Sequence, residues 1–161
     1  MEDKLVTKFI TALRAHASFL LAEGFRLEEG AVKVSPTLTR AGFVGDHIAI
    51  VFYLDYKFEA VDCNLESARA WCFERVGPFI GLHDYWVRLR REGKLVSVTP
   101  TSTCGYASPG GARAARRKRS WDDIIEEGLR SCSAQLRDIL AATSLDSAET
   151  LRHLGGQTGR T

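Results

Sequence analysis

Histidine, cysteine and clustered charge are the residue types from which this chain could build a reactive or binding site. The strongest cluster is GARAARRKRSWDDIIEEGL, residues 111–129, where Arg113, Arg116, Arg117, Lys118 and Arg119 precede Asp122, Asp123, Glu126 and Glu127. Five cations in seven residues can neutralise phosphates or meet an acidic protein surface. The basic character is local. Residues 1–112 hold 13 Lys and Arg against 13 Asp and Glu, and residues 120–161 hold 4 against 7. The four acids immediately downstream repel a nucleic-acid backbone lying along that segment, and no RNA-recognition or KH signature accompanies the run. The run is read first as a charged joint leading into the helix; Arg113–Arg119 are the candidate contacts for an acidic protein partner, with nucleic-acid binding in a regulatory or defence role as the alternative.

The other chemistry-bearing residues are scattered. Cys63, Cys72, Cys104 and Cys132 contain no CxxC pair, which excludes a zinc ribbon or a thioredoxin-type motif. Cys104, in TSTCGYASPGG, is a loop cysteine followed by glycine, but no motif ties a histidine to it as an activating base. Asp46-His47 and His83-Asp84 are adjacent pairs; neighbours on a strand point to opposite faces, and a metal site needs further ligands. Phosphate-cradling GxxxxGK[ST] and GxGxxG patterns are absent. The paired carboxylates Glu28-Glu29, Asp122-Asp123 and Glu126-Glu127 suit a turn, a helix cap and a solvated helix face. The expectation is a protein without catalytic residues, metal or cofactor.

The elements that hold these residues follow from apolar periodicity. Leu5, Val6, Phe9, Ile10, Leu13, Ala17, Leu20 and Leu21 predict an amphipathic helix over 3–22, capped by Asp3 and ended by Gly24. Phe25 to Val34 alternates around Glu28-Glu29-Gly30 and predicts a hairpin, followed by a loop or weak edge strand over 37–46. HIAIVFYL (47–54), YKFEAVD (56–62) and ARAWCFERV (68–76) read as strands, with a turn at 63–67. A short helix capped by Asp84 and a strand over 94–99 follow. Residues 100–119 form a loop expected to be mobile. Ser120 then caps a long helix to about 142, and a short helix covers 146–153. Gly128 lies in the apolar stripe of the long helix, where it costs about 1 kcal/mol unless close packing requires it.

The sum is an α+β fold: an antiparallel meander of four to six strands covered on one face by the long N- and C-terminal helices. One domain is expected over 1–154, with a flexible tail over 155–161. No stretch approaches the length of a membrane span, and MEDKLVTKF lacks a signal-peptide core, so a cytoplasmic protein is expected.

FLLAEGFRL followed by IVFYLDYKFEAVD resembles, over about residues 5–76, small bacterial α+β immunity-type proteins of polymorphic toxin systems. That resemblance implies a protein that binds a cognate toxin and blocks it. Its binding surfaces vary widely within such families, so it assigns no residue.

Overall fold

A computed structural model describes residues 2–73, 77–96 and 119–158. The elements run α1 (Glu2–Ala17), α2 (Phe19–Ala22), β1 (Arg26–Val34), β2 (Leu38–Val44), β3 (Ile48–Asp55), β4 (Ala60–Ser67), α3 (Ala68–Cys72), β5 (Phe79–Gly81), α4 (Leu82–Arg91), α5 (Trp121–Ala142) and α6 (Ala148–Thr158). The five strands form one antiparallel sheet in the order β1-β2-β3-β4-β5. The fold is α+β.

Strict alternation sorts each strand's side chains between the two faces. On one face lie Ala41 and Phe43 of β2, Ile48, Ile50, Phe52 and Leu54 of β3, and Val61, Cys63 and Leu65 of β4. They share a core cluster with Phe9, Leu13 and Ala17 of α1, Leu20 of α2, and Ile125, Leu129, Cys132, Leu136 and Ile139 of α5. The opposite face carries a smaller cluster of Val44, Ala49 and Val51 under Ala68 and Trp71 of α3.

Ser120 caps α5 as expected, accepting the Asp123 N–H at 3.2 Å, and Asp122 and Asp123 fill the first turn. Gly128 has the packing reason its place in the stripe demands. A Cβ there would fall 2.6 Å from Val61 Cβ, so the glycine lets α5 lie close on β4. Across the helices, Lys8 pairs with Asp122 at 3.0 Å and His16 with Glu126 at 2.8 Å. Buried polar groups join α4 to α5: Trp86 Nε1 donates to Asp138 Oδ2 at 3.0 Å, and Gln135 Nε2 donates to His83 Nδ1 at 2.9 Å.

Several local expectations are corrected. The hairpin expected around Glu28-Glu29-Gly30 is a single strand with a break in register. Five steps on β1, from Glu28 to Lys33, oppose two on β2, from Gly42 to Arg40, so three extra residues are absorbed as an irregularity. Residues 38–44 are no loop or edge; they form an interior strand between β1 and β3. Gly42 is needed there because a Cβ would sit 2.8 Å from the Trp71 ring. YKFEAVD begins as a turn, in which Asp55 Oδ1 accepts the Lys57 and Phe58 N–H groups at 2.9 and 3.0 Å and Glu59 takes φ 51°. β4 starts at Ala60 and runs through the turn expected at 63–67.

ARAWC is helical rather than extended, because Ser67 caps it by accepting the Ala70 N–H at 3.4 Å. Gly81, not Asp84, is the N-cap of α4, placing Asp84 in its first turn. The first helix is interrupted at Ser18 and already includes Glu2, one residue before the expected cap at Asp3. Gly24 closes α2 with φ 93°. Lys94–Val96 is not strand; the rest of the strand expected over 94–99, and the loop expected over 100–119 up to residue 118, lie outside the described residues. α6 extends to Thr158, past the expected end at 153 and into the expected tail.

Candidate functional site

Of the basic run, Arg119 lies among the described residues, and its guanidinium pairs with Glu127 on the first turns of α5. Arg113, Arg116, Arg117 and Lys118 lie outside them, as does Cys104. Cys63 and Cys132 are buried thiols outside any disulfide, and Cys72 is exposed. The four histidines are dispersed: His16 on Glu126, His83 on Gln135, His153 with its ring 6.2 Å from that of Tyr85, and His47 in the β2–β3 turn. No group of His, Cys, Asp and Glu able to hold a metal occurs among the described residues.

The residues that do come together lie on the sheet face opposite the main core. Register places Arg40 beside Tyr53 on β2–β3, and Tyr53 beside Asp62 on β3–β4. β4 contributes Asp62, Asn64 and Glu66 in succession to this face, and Phe79 and Gly81 of β5 stand beside Glu66 and Asn64. The Tyr53 hydroxyl donates to Glu66 Oε2 in a short contact. Arg40 stacks on Trp71, its guanidinium carbon 4.8 Å from the ring centroid, and sits close enough to act on both Tyr53 and Glu66. Trp71 is seated on the gap left by Gly42. The chain Trp71–Arg40–Tyr53–Glu66 is thus locked through stacking, charge and hydrogen bonding.

Burial dominates the electrostatics here. It pushes the Tyr53 phenol well above its ordinary range, helped by the Glu66 carboxylate, and raises the Glu66 carboxyl against the opposing pull of Tyr53 and Arg40. Asp62 is also raised, first by burial and then by Asp84 and Asp55, although it accepts the Cys63 N–H at 2.8 Å. Two aromatic side chains stand exposed around this face: Phe79 at 52% and Phe73, at the end of α3, at 64%. A separate shallow groove of about 440 Å³ runs between α1 and α5, lined largely by Thr7, Thr11, Ala12, Ala15 and Ile125.

A second cluster is architectural. The Asp146 carboxylate, just before α6, accepts the backbone N–H groups of Asp46, His47 and Ile48 at 2.8, 2.7 and 3.0 Å. A Cβ on Gly45 would collide with it. Asp46 and His47 therefore serve the turn through their amides.

No family model, curated protein or solved structure matches this chain. No helix among the described residues is long and apolar enough to cross a membrane.

Proposed function

We propose that this protein is a non-catalytic binding module, an immunity-like inhibitor or adaptor, that holds a partner protein against the polar face of its sheet. In this reading α1 and α5 cover the opposite face and the partner is a cytoplasmic protein, such as a cognate toxin, that is blocked by being bound. The observation that carries the proposal is the locked Trp71–Arg40–Tyr53–Glu66 chain beside exposed Phe73 and Phe79. Trp, Tyr and Arg are the residue types that dominate interface energetics, and side chains already fixed before contact lose little entropy on binding. The basic run Arg113–Arg119 is the second contact candidate.

Site-specific photo-crosslinking in the native cells tests the proposal. A benzophenone side chain replacing Phe79 is expected to give an adduct of discrete mass. The same group replacing Leu21, an exposed residue of α2 (55%), is expected to give none. Phe79→Asp should reduce recovery of that partner at least tenfold, as loss of an aromatic anchor predicts. Equal adducts at both positions would overturn the reading. So would binding that is lost in an Arg116→Ala/Arg117→Ala/Arg119→Ala variant yet untouched by Phe79→Asp. If that binding is to nucleic acid and falls steeply with salt, the alternative function replaces it.

A further inference from the structure

Four contacts fix how α5 lies on the sheet. At its start, the Trp121 ring meets that of Tyr56 with centroids 5.9 Å apart. Further on, the missing Cβ of Gly128 falls 2.6 Å from Val61 Cβ. Gln135 then meets His83 at 2.9 Å, two residues past Gly81, which pairs with Asn64. Just beyond the helix, Asp146 holds the amide of Ile48, the register partner of Ser67. Positions 121, 128, 135 and 146 thus advance in step with 56, 61, 64 and 67, so α5 runs along β4 in the same direction. Cys63 is two residues past Val61 on the same face, an advance of about 6.6 Å. Cys132 is four residues past Gly128, one helical turn and an advance of about 6 Å. The two thiols therefore reach the same level of the interface from opposite sides. Both have 0% exposure and belong to one core cluster.

We propose that Cys63 and Cys132 form a dithiol–disulfide switch that straps α5 to β4 under oxidising conditions. This goes beyond the binding-module reading and does not depend on it. A disulfide needs its Cβ atoms about 3.5–4.5 Å apart. Gly128 supplies that closeness, because it lets the helix backbone down onto β4 one turn before Cys132. The oxidant is a small disulfide of the glutathione class. One protein thiolate attacks it, forming a mixed disulfide and releasing one glutathione. The second protein thiolate attacks the protein-bound sulfur, closing the bridge and releasing the second glutathione. The protein loses two electrons and two protons, and the glutathione disulfide gains them. Complete burial makes the reaction conditional: an opening that parts α5 from β4 must come first. The closed bridge then joins two elements far apart in the sequence and prevents that opening from recurring. Cysteine as a small apolar filler accounts for either residue alone. It does not account for a second thiol at the same level of the facing element.

The test uses the reduced full chain, incubated with glutathione disulfide, then alkylated and mapped by mass spectrometry. A species lighter by two hydrogen atoms is expected, with the peptide holding Cys63 joined to the peptide holding Cys132. Dithiothreitol should reverse it. A Cys72→Ala/Cys104→Ala variant should still form the bridge, whereas Cys63→Ala should not; the wild-type map decides the point even where Cys63→Ala fails to fold. Bridging should quicken at urea concentrations below the unfolding midpoint, and amide exchange in α5 should slow at least tenfold once the bridge is closed. A bridge formed only above that midpoint would overturn the proposal, since the folded arrangement would then have no part in it. So would Cys63 and Cys132 both remaining open to alkylation, or stable glutathione adducts on either. Pairing with Cys72 or Cys104 instead, or equal α5 exchange in the two forms, would overturn it as well.

Discussion

Strand β3 presents Ile48, Ile50, Phe52 and Leu54 to one side of the sheet and Ala49, Val51, Tyr53 and Asp55 to the other. The first set is wholly buried; the second grades from a small apolar patch under Trp71 to a half-buried polar network. One strand therefore serves two purposes at a spacing of a single residue. The apolar side supplies stability through area removed from water. On the polar side Tyr53 is paired with Glu66 and Arg40 with Trp71, which adds less to stability but fixes the geometry of a surface. The contrast predicts that substitutions on the two sides separate into stability effects and binding effects.

The largest effect is expected on the apolar side. Phe52 is fully buried and meets Phe43 edge to face, with ring centroids 6.1 Å apart. Phe52→Ala should lower the unfolding free energy by about 3–5 kcal/mol in urea titration; a loss below about 1 kcal/mol would break the assignment of stability to this side. Next comes the device that keeps the two sides apart. A slip of one residue between β2 and β3 would exchange their faces, and the turn that sets this register is held by Asp146. Asp146→Ala leaves three backbone amides without their charged acceptor and should cost about 2 kcal/mol by the same measurement. An unchanged midpoint would show that the turn sequence holds the register unaided.

The smallest effect sharpens the polar side. The folded-state values of Asp62 and Glu66 lie above the ordinary 3.8 and 4.5, chiefly because burial penalises their charged forms. A raised carboxyl favours the folded state while protonated. Its contribution is complete below about pH 4 and disappears as pH climbs through the raised folded values. Asp62→Asn/Glu66→Gln should therefore flatten the stability profile across that window by less than about 1 kcal/mol, given how much solvent these groups still meet. Melting temperatures recorded from pH 3.5 to 7 would show it, and parallel profiles for the two proteins would contradict it.

The elements easiest to read in the sequence are those with a local cause. Ser120 with Asp122 and Asp123 announces α5, and the run of β-branched and aromatic residues announces β3. Where a distant partner decides, local pattern misleads. ARAWC alternates like a strand, yet Ser67 caps it as a helix whose Trp71 needs the gap at Gly42, twenty-nine positions earlier (71 − 42). Gly42 and Gly45 suggested a loop because the residues that fill the space beside them, Trp71 and Asp146, are remote in sequence. The polar face was concealed for a related reason. Tyr53, Asp62, Asn64 and Glu66 alternate with apolar residues as any solvated strand face does, and nothing in that pattern reveals the Tyr53–Glu66 bond or the Arg40–Trp71 stack. The available signal was weak: two carboxylates and an amide at every second position of one strand.

The grip of Asp146 on the β2–β3 turn also has a temporal side. Its carboxylate follows the amides it holds by 98 to 100 residues. At a synthesis rate of about 5–20 residues per second, the turn is made roughly 5–20 s before its acceptor exists. Through that interval the nascent hairpin must keep its pairing without this carboxylate, on side-chain alternation and its own backbone hydrogen bonds, among them Gly45 N–H to the Ile48 carbonyl at 2.9 Å.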